Sequence, residues 1–282
     1  MKKTILVIIV VLLLSGCSNK KQEIIEDIKF DEVVATYTID RNKSDCELLL
    51  YGRCDNIGED DLENLNKLDK KVTLIGTYDK RQISYSAEID RWEMPDSNIL
   101  TNGIVLHLSI DNCKNLVNKV KIDKMIFKIS NSEVEKGLEK IYINAFDSSD
   151  SSLSIMEAPI APIGSIELNK KHTYSYKILD ISGTDRDLRA KILYPEEIKK
   201  YIEIDDVIVS RDEETELQIK NEYKNQTTKV DLNKIKVYNI ECTYILKEDA
   251  YFVFQPLLEL QDAVESQSLV PFEAICFFNN NN

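Results

Sequence analysis

Apolar and polar residues alternate along much of the chain with a period of two, the mark of strands that bury one face. Ile104, Leu106, Leu108 and Ile110 alternate with Val105, His107 and Ser109, which predicts a half-buried strand whose His107 faces outward. Tyr174, Tyr176 and Ile178 alternate with Thr173, Ser175 and Lys177 in the same way. Val120 and Ile122 give way to Met125, Phe127 and Ile129, so the phase changes near Asp123-Lys124. Because a slip of one residue turns every later side chain to the other face, a bulge or strand break is predicted there. Further strands are expected over residues 33–39, 47–51, 72–78, 83–89 and 141–146. Asn, Asp and Ser supply most of the turns between them.

Short strands joined by polar turns predict a β-sandwich over residues 31–182, with Pro159-Ile160-Ala161-Pro162-Ile163-Gly164 as a loop inside it. A second unit, residues 183–282, is expected to begin where the composition turns polar at Gly183-Thr184-Asp185. Pro195-Glu196-Glu197 suits a helix start, with Ile198, Tyr201 and Ile202 as its apolar stripe. Strands are then expected over 207–209, 216–223, 235–246, 251–260 and 270–278. A helix followed by an antiparallel meander makes a smaller α+β unit, so the fold class is mainly β. Residues 104–181, with the polar turn Asn169-Lys170-Lys171-His172 before Tyr174-Ser175-Tyr176, resemble the immunoglobulin-like domains of bacterial surface lipoproteins. Ile240–Tyr244, Phe252-Val253-Phe254-Gln255-Pro256 and Phe272–Ile275 resemble extracellular PepSY-like and kinase-regulator lipoprotein domains.

The first residues carry a different pattern. Lys2 and Lys3 precede ten consecutive apolar residues, Ile5 to Leu14, and then Ser15, Gly16 and Cys17. This is the layout of a signal peptide, with a charged start, an apolar run and a small-residue cleavage site. A spanning helix needs about 20 apolar residues to cross roughly 30 Å of hydrocarbon, twice what this run offers. Leu14-Ser15-Gly16-Cys17 resembles the lipobox of bacterial lipoproteins, which implies cleavage of residues 1–16 and a lipid on the Cys17 thiol. The alternative is an ordinary secretory signal in which Cys17 is incidental. Residues 17–30 then read as a lipid-anchored tether at the outer side of the cell membrane.

The 282 residues carry a net charge of −13, which argues against a nucleic-acid partner. Loss of residues 1–16 removes Lys2 and Lys3 and leaves −15. Besides Cys17 there are Cys46, Cys54, Cys113, Cys242 and Cys276, an odd set that cannot all pair within one molecule. Cys46 and Cys54 flank a short segment that could close as a hairpin disulfide, and Cys276 sits in a core-like alternation.

Hydrolase triads, zinc spacings and phosphate loops each need groupings that this chain, with two His and no CxxC, does not display. His107 and His172 both read as surface residues. Carboxylates cluster at Glu59-Asp60-Asp61, Asp147 with Asp150, Asp205-Asp206 and Asp212-Glu213-Glu214. Paired acids serve glycoside hydrolysis or bind hard cations, and equally occur in solvated loops. Asp147–Ser152 lacks the Gly and Glu of a calcium loop. Trp92 is weighed as an exposed ligand platform against the commoner buried aromatic. The leading expectation is a lipid-anchored, non-enzymatic binding or regulatory module, with no cofactor and no metal. Its expected partners are the membrane, through Cys17, and another envelope protein. An envelope-polysaccharide hydrolase and a solute-binding lipoprotein are the alternatives.

Overall fold

The computed structural model describes residues 22–42, 46–55, 57–68, 70–95, 102–129, 132–148, 152–157, 167–184, 186–224, 231–248, 251–262, 267–271 and 275–277. The signal segment with Cys17, the Pro159–Gly164 segment, Asp150 and the Cys276 side chain lie outside the described residues. Residues 22–27 are helical. They precede β1 (Val33–Asp40), β2 (Glu47–Arg53), helix α1 (Glu59–Asn66), β3 (Lys71–Tyr78), β4 (Arg81–Glu93) and β5 (Gly103–Ile110). The long strands β6 (Lys119–Ile129) and β7 (Ser132–Phe146) follow, then β8 (Leu153–Glu157), β9 (Lys171–Asp180) and β10 (Arg189–Leu193). The rest comprises β11 (Ile202–Arg211), α2 (Glu213–Tyr223), β12 (Lys236–Leu246), β13 (Tyr251–Phe254), β14 (Leu257–Gln261), β15 (Gln267–Pro271) and β16 (Ile275–Phe277). The fold is mainly β, as the alternation predicts. Among the described residues no helix is long and apolar enough to cross a membrane.

The chain divides into two compact units, 1–34 with 44–113 and 120–141, and 35–43 with 114–119 and 142–282. This division does not follow the expected boundary between residues 182 and 183. Within the first unit the strands run in the order β6-β3-β4-β5-β2, all four neighbouring pairs antiparallel. Asp79 and Lys80 both take positive φ (45° and 62°), and this two-residue turn joins β3 to β4 with Tyr78 opposite Arg81. The expected phase change is a bulge: Ile75 pairs with Lys124 and Gly76 with Ile122, leaving Asp123 as the extra residue. A side chain at Gly76 would meet Lys121 O at 2.5 Å and the Val120 side chain at 2.8 Å. Gly76→Ala is therefore expected to destabilise the protein by about 2 kcal/mol, read as a lower midpoint in urea unfolding.

The core of this unit centres on Trp92, which is 2% exposed, stacks on Phe127 at 5.8 Å between ring centres and lies 6.4 Å from Phe30. The platform reading of Trp92 is thereby corrected. Asn66, the last residue of α1, bonds both backbone groups of Trp92, its Nδ2 donating to the carbonyl at 3.0 Å and its Oδ1 accepting from the N–H at 2.7 Å. The expected tether is shorter than residues 17–30, because Ile25, Ile28 and Phe30 are fully buried and Lys29 exchanges two backbone hydrogen bonds with Arg53.

The disulfide joins Cys46 to Cys113, not Cys46 to Cys54. Residues 47–53 are a straight strand instead of a hairpin, which puts Cys46 and Cys54 at opposite ends, roughly 26 Å apart. Pairing of β2 with β5 instead brings Cys46 beside Ile110, whose N–H bonds Cys46 O at 3.0 Å. Cys113 then lies 6.1 Å away between Cα atoms, a separation a disulfide spans. Cys54 is buried and not disulfide-bonded.

In the second unit β12 lies between β9 and β11, with β8 beyond β9. Tyr174, Tyr176 and Ile178 of β9 and Tyr238, Ile240, Cys242 and Tyr244 of β12 form one buried face, as the alternation in β9 predicts. A second antiparallel set runs β10-β14-β15. Residues 35–40 of β1 lie between β13 and the end of β7. Thr38 fixes β1 to the end of β13, its Oγ1 donating to Gln255 O at 2.7 Å. The strand expected over 251–260 is two, because Pro256 has no N–H for a ladder and the chain changes sheets there.

Two helix expectations are also corrected. Glu196–Lys200 is a short 3-10 turn with Ile198 buried, since Ile202 already pairs with Leu246 as strand. Residues 213–223, expected as strand from Glu216 on, are the helix α2. Asp212 caps it by accepting from Thr215 N at 2.9 Å, and Glu213, Glu214 and Glu216 sit in its positive first turn.

Candidate functional site

Both His are placed differently from a catalytic base. His107 is 4% exposed, not a surface residue, because both faces of β5 are covered. Its Nδ1 lies 2.9 Å from Glu47 and its Nε2 2.8 Å from Glu93, so each ring nitrogen already faces a carboxylate. Burial works against the Glu93 carboxylate, but hydrogen bonds from His107 and Arg91 outweigh it and hold that carboxyl below its usual range. His172 is not in the expected turn but in β9 opposite Tyr244, half-buried, with Nε2 2.9 Å from Glu167 O and its ring against Tyr244.

The carboxylate clusters resolve into separate roles. Glu59, Asp60 and Asp61 open α1, where Asp61 accepts from Gly58 N at 3.3 Å. Asp212 is the α2 cap, and the Thr215 backbone and hydroxyl lower its carboxyl below the usual range. Asp147 is held by Arg41 through two hydrogen bonds, 2.9 and 2.6 Å long. Burial pushes the Cys242 thiol up to about 12, so this sulfur stays protonated and unreactive. Among the described residues no three His, Cys, Asp or Glu side chains are placed to hold a metal ion.

The feature that does bring polar chemistry together is a groove of about 950 Å³ inside the second unit. Residues after β1, at the start of β6 and at the end of β7 form one wall; β10, the 3-10 turn and β11 form the other. Arg41 anchors the first wall: besides Asp147 it reaches Leu116 O at 3.0 Å and Asn118 Oδ1 at 2.8 Å. Ala145 N bonds Asn118 O at 3.0 Å, which sets Asn144 beside Lys119 across the two strands. On the second wall Asp205 stands at a register shift in β11, where it bonds Lys171 at 2.7 Å, and Glu196 bonds Lys199 at 2.6 Å. Asp205 and Glu196 in turn raise the pKa of these two lysines. Tyr194 packs edge-on against Phe254, 5.7 Å between ring centres, and leaves part of its ring on the groove.

Of the carboxylates noted in sequence, the groove collects Asp147, Asp205 and Asp206 and leaves the two clusters at the helix starts outside. Three of its other residues carried no sequence signal. Lys119, Asn144 and Lys191 belong to no motif: the first two meet through strand pairing, and Lys191 faces them from β10 of a different sheet.

No family model matches the chain, and no curated protein matches it. Solved structures that are similar in part include the major pilin subunit of Bacillus cereus, at 8% identity and TM-score 0.28, over 77% of this chain and 66% of that one. An endo-fucoidan hydrolase of glycoside hydrolase family 107 gives 10% identity and TM-score 0.24, over 88% and 28%. The human desmocollin-1 ectodomain gives 8% and 0.23, over 89% and 36%. The chain spans less than two thirds of the length of each.

Proposed function

We propose that the chain is a lipid-anchored extracytoplasmic lipoprotein that binds at the cell envelope without catalysing a reaction. Its location rests on Lys2-Lys3, the apolar run and Leu14-Ser15-Gly16-Cys17, and a disulfide between Cys46 and Cys113 suits an oxidising compartment. The observation that carries the non-enzymatic reading is the state of the groove charges. Arg41 holds Asp147, Lys199 holds Glu196 and Lys171 holds Asp205. Each of these carboxylates is turned to a cation on its own wall, whereas glycoside hydrolysis needs two carboxyls free to face the scissile bond. With these three pairs fixed and Asp206 accepting from Val207 N, the walls suit a rigid binding surface. The finer reading is an immunoglobulin-like surface module with a PepSY-like, regulatory C-terminal part that contacts another envelope protein.

Two measurements test this. Radiolabelled palmitate is expected in the wild-type chain and absent from Cys17→Ser, with the variant moving from the detergent phase to the aqueous phase. Equal labelling and partitioning of the two would end the anchor. Crosslinking on intact cells is expected to join the wild-type chain to an envelope neighbour, and a chain recovered only as itself would end the binding role.

A further inference from the structure

We infer that the groove of the second unit binds an oligosaccharide bearing N-acetylated sugars, a ligand class that rests on the groove being the binding site proposed above. Asn144 is the starting point. The residue lines the groove, is 8% exposed, and its side chain makes no hydrogen bond to another described residue. Its carboxamide is open to the groove and not sealed from solvent, so a ligand that displaces its water must return both kinds of hydrogen bond. A carboxamide has one acceptor and two donor positions, so its natural complement is another amide, with N–H given to a carbonyl oxygen and an N–H accepted in return. The acetamido group of an N-acetylated sugar offers that pairing.

The surroundings narrow the class further. Acidic and basic residues lining the groove are equal in number, four of each, which favours an uncharged ligand over a polyanion. Lys119 stands beside Asn144, and the exposed Lys191 faces the groove from β10. Neither has an ion-pair partner among the described residues, so both ammonium groups are free to donate to sugar hydroxyls. Tyr194 adds an aromatic surface for the apolar face of a pyranose ring. The volume of about 950 Å³ lies at the upper end of the range for small-molecule sites, roughly 300–1,000 Å³, and has room for more than one ring.

The test is calorimetric titration of the full chain in detergent micelles with tri-N-acetylchitotriose, maltotriose and inorganic phosphate. Tri-N-acetylchitotriose is expected to bind saturably, and maltotriose, which has the same number of rings and no amide, about tenfold more weakly or worse. Asn144→Leu is expected to weaken the chitotriose by about tenfold. Because Asn144 is buried, the exposed Lys191→Met serves as a second variant that keeps the fold, and it too is expected to weaken binding. No heat with the chitotriose, equal affinity for maltotriose, displacement by phosphate, or unchanged binding in Lys191→Met would each overturn the assignment. These outcomes leave palmitate labelling and crosslinking untouched, so failure here is separable from failure of the lipoprotein reading.

Discussion

Replacing Cys46 and Cys113 together by Ser is expected to lower the stability of the protein by about 4 kcal/mol, the chain-entropy value for a cross-link closing a loop of this length. The two cysteines are 67 residues apart, and between them run β2, α1, β3, β4 and β5. Freeing that loop gives the unfolded chain many more conformations, while the folded state loses only one contact. Chemical denaturation of the double variant against the wild type under non-reducing conditions measures the difference. Wild type in reducing buffer should behave as the variant does. If the midpoint moved by less than a quarter of what this loop predicts, Cys46 and Cys113 would not be bonded in the native protein.

Glu216→Ala is expected to cost about 3 kcal/mol. The Glu216 side chain is 5% exposed and takes two hydrogen bonds from Arg211, at 2.7 and 3.0 Å, while Val237 N–H reaches the same carboxylate at 3.1 Å. Removing it takes two hydrogen bonds from the Arg211 guanidinium and the acceptor from a buried N–H, at the point where α2 meets β12. The hydrogen bonds from Arg211, set against burial and aided by Val237 N–H, hold the Glu216 carboxyl below its usual range in the folded state. Its stabilising contribution is therefore fully present above the unfolded pKa, near 4.5, and is lost as the pH falls through the lower folded value. Comparing the wild type with Glu216→Gln across this window should show the gap closing as acid is added. A gap that stayed constant down to the acid limit of folding would contradict the ion pair.

The period-two pattern made the strands legible because each buries a face, and the phase change near Asp123 exposed the bulge opposite Gly76 for the same reason. The same pattern misplaced His107. Alternation tells the two faces apart but not whether the polar one is covered, and Glu47 and Glu93 close over it from neighbouring strands. Glu213–Tyr223 misled through its mixed apolar spacing, and the cap at Asp212 was its more informative signal. The Cys46–Cys54 pairing failed because nearness in sequence means nothing along an extended strand. The groove was the least legible element. Arg41, Lys119 and Asn144 are gathered along one sheet, whereas Lys191 comes from β10 of another, so no local pattern announces them.

The way β1 is held has a bearing on how such a chain matures. Thr38 is locked to Gln255 across 217 positions, and residues 35–40 depend on β13 for one of their edges. During synthesis or export from the N-terminus, that edge is bare until nearly the whole polypeptide has emerged. Shortening the gene anywhere upstream of Gln255 therefore strands a sticky ribbon early in the product, and late acquisition of long-range contacts makes refolding slow.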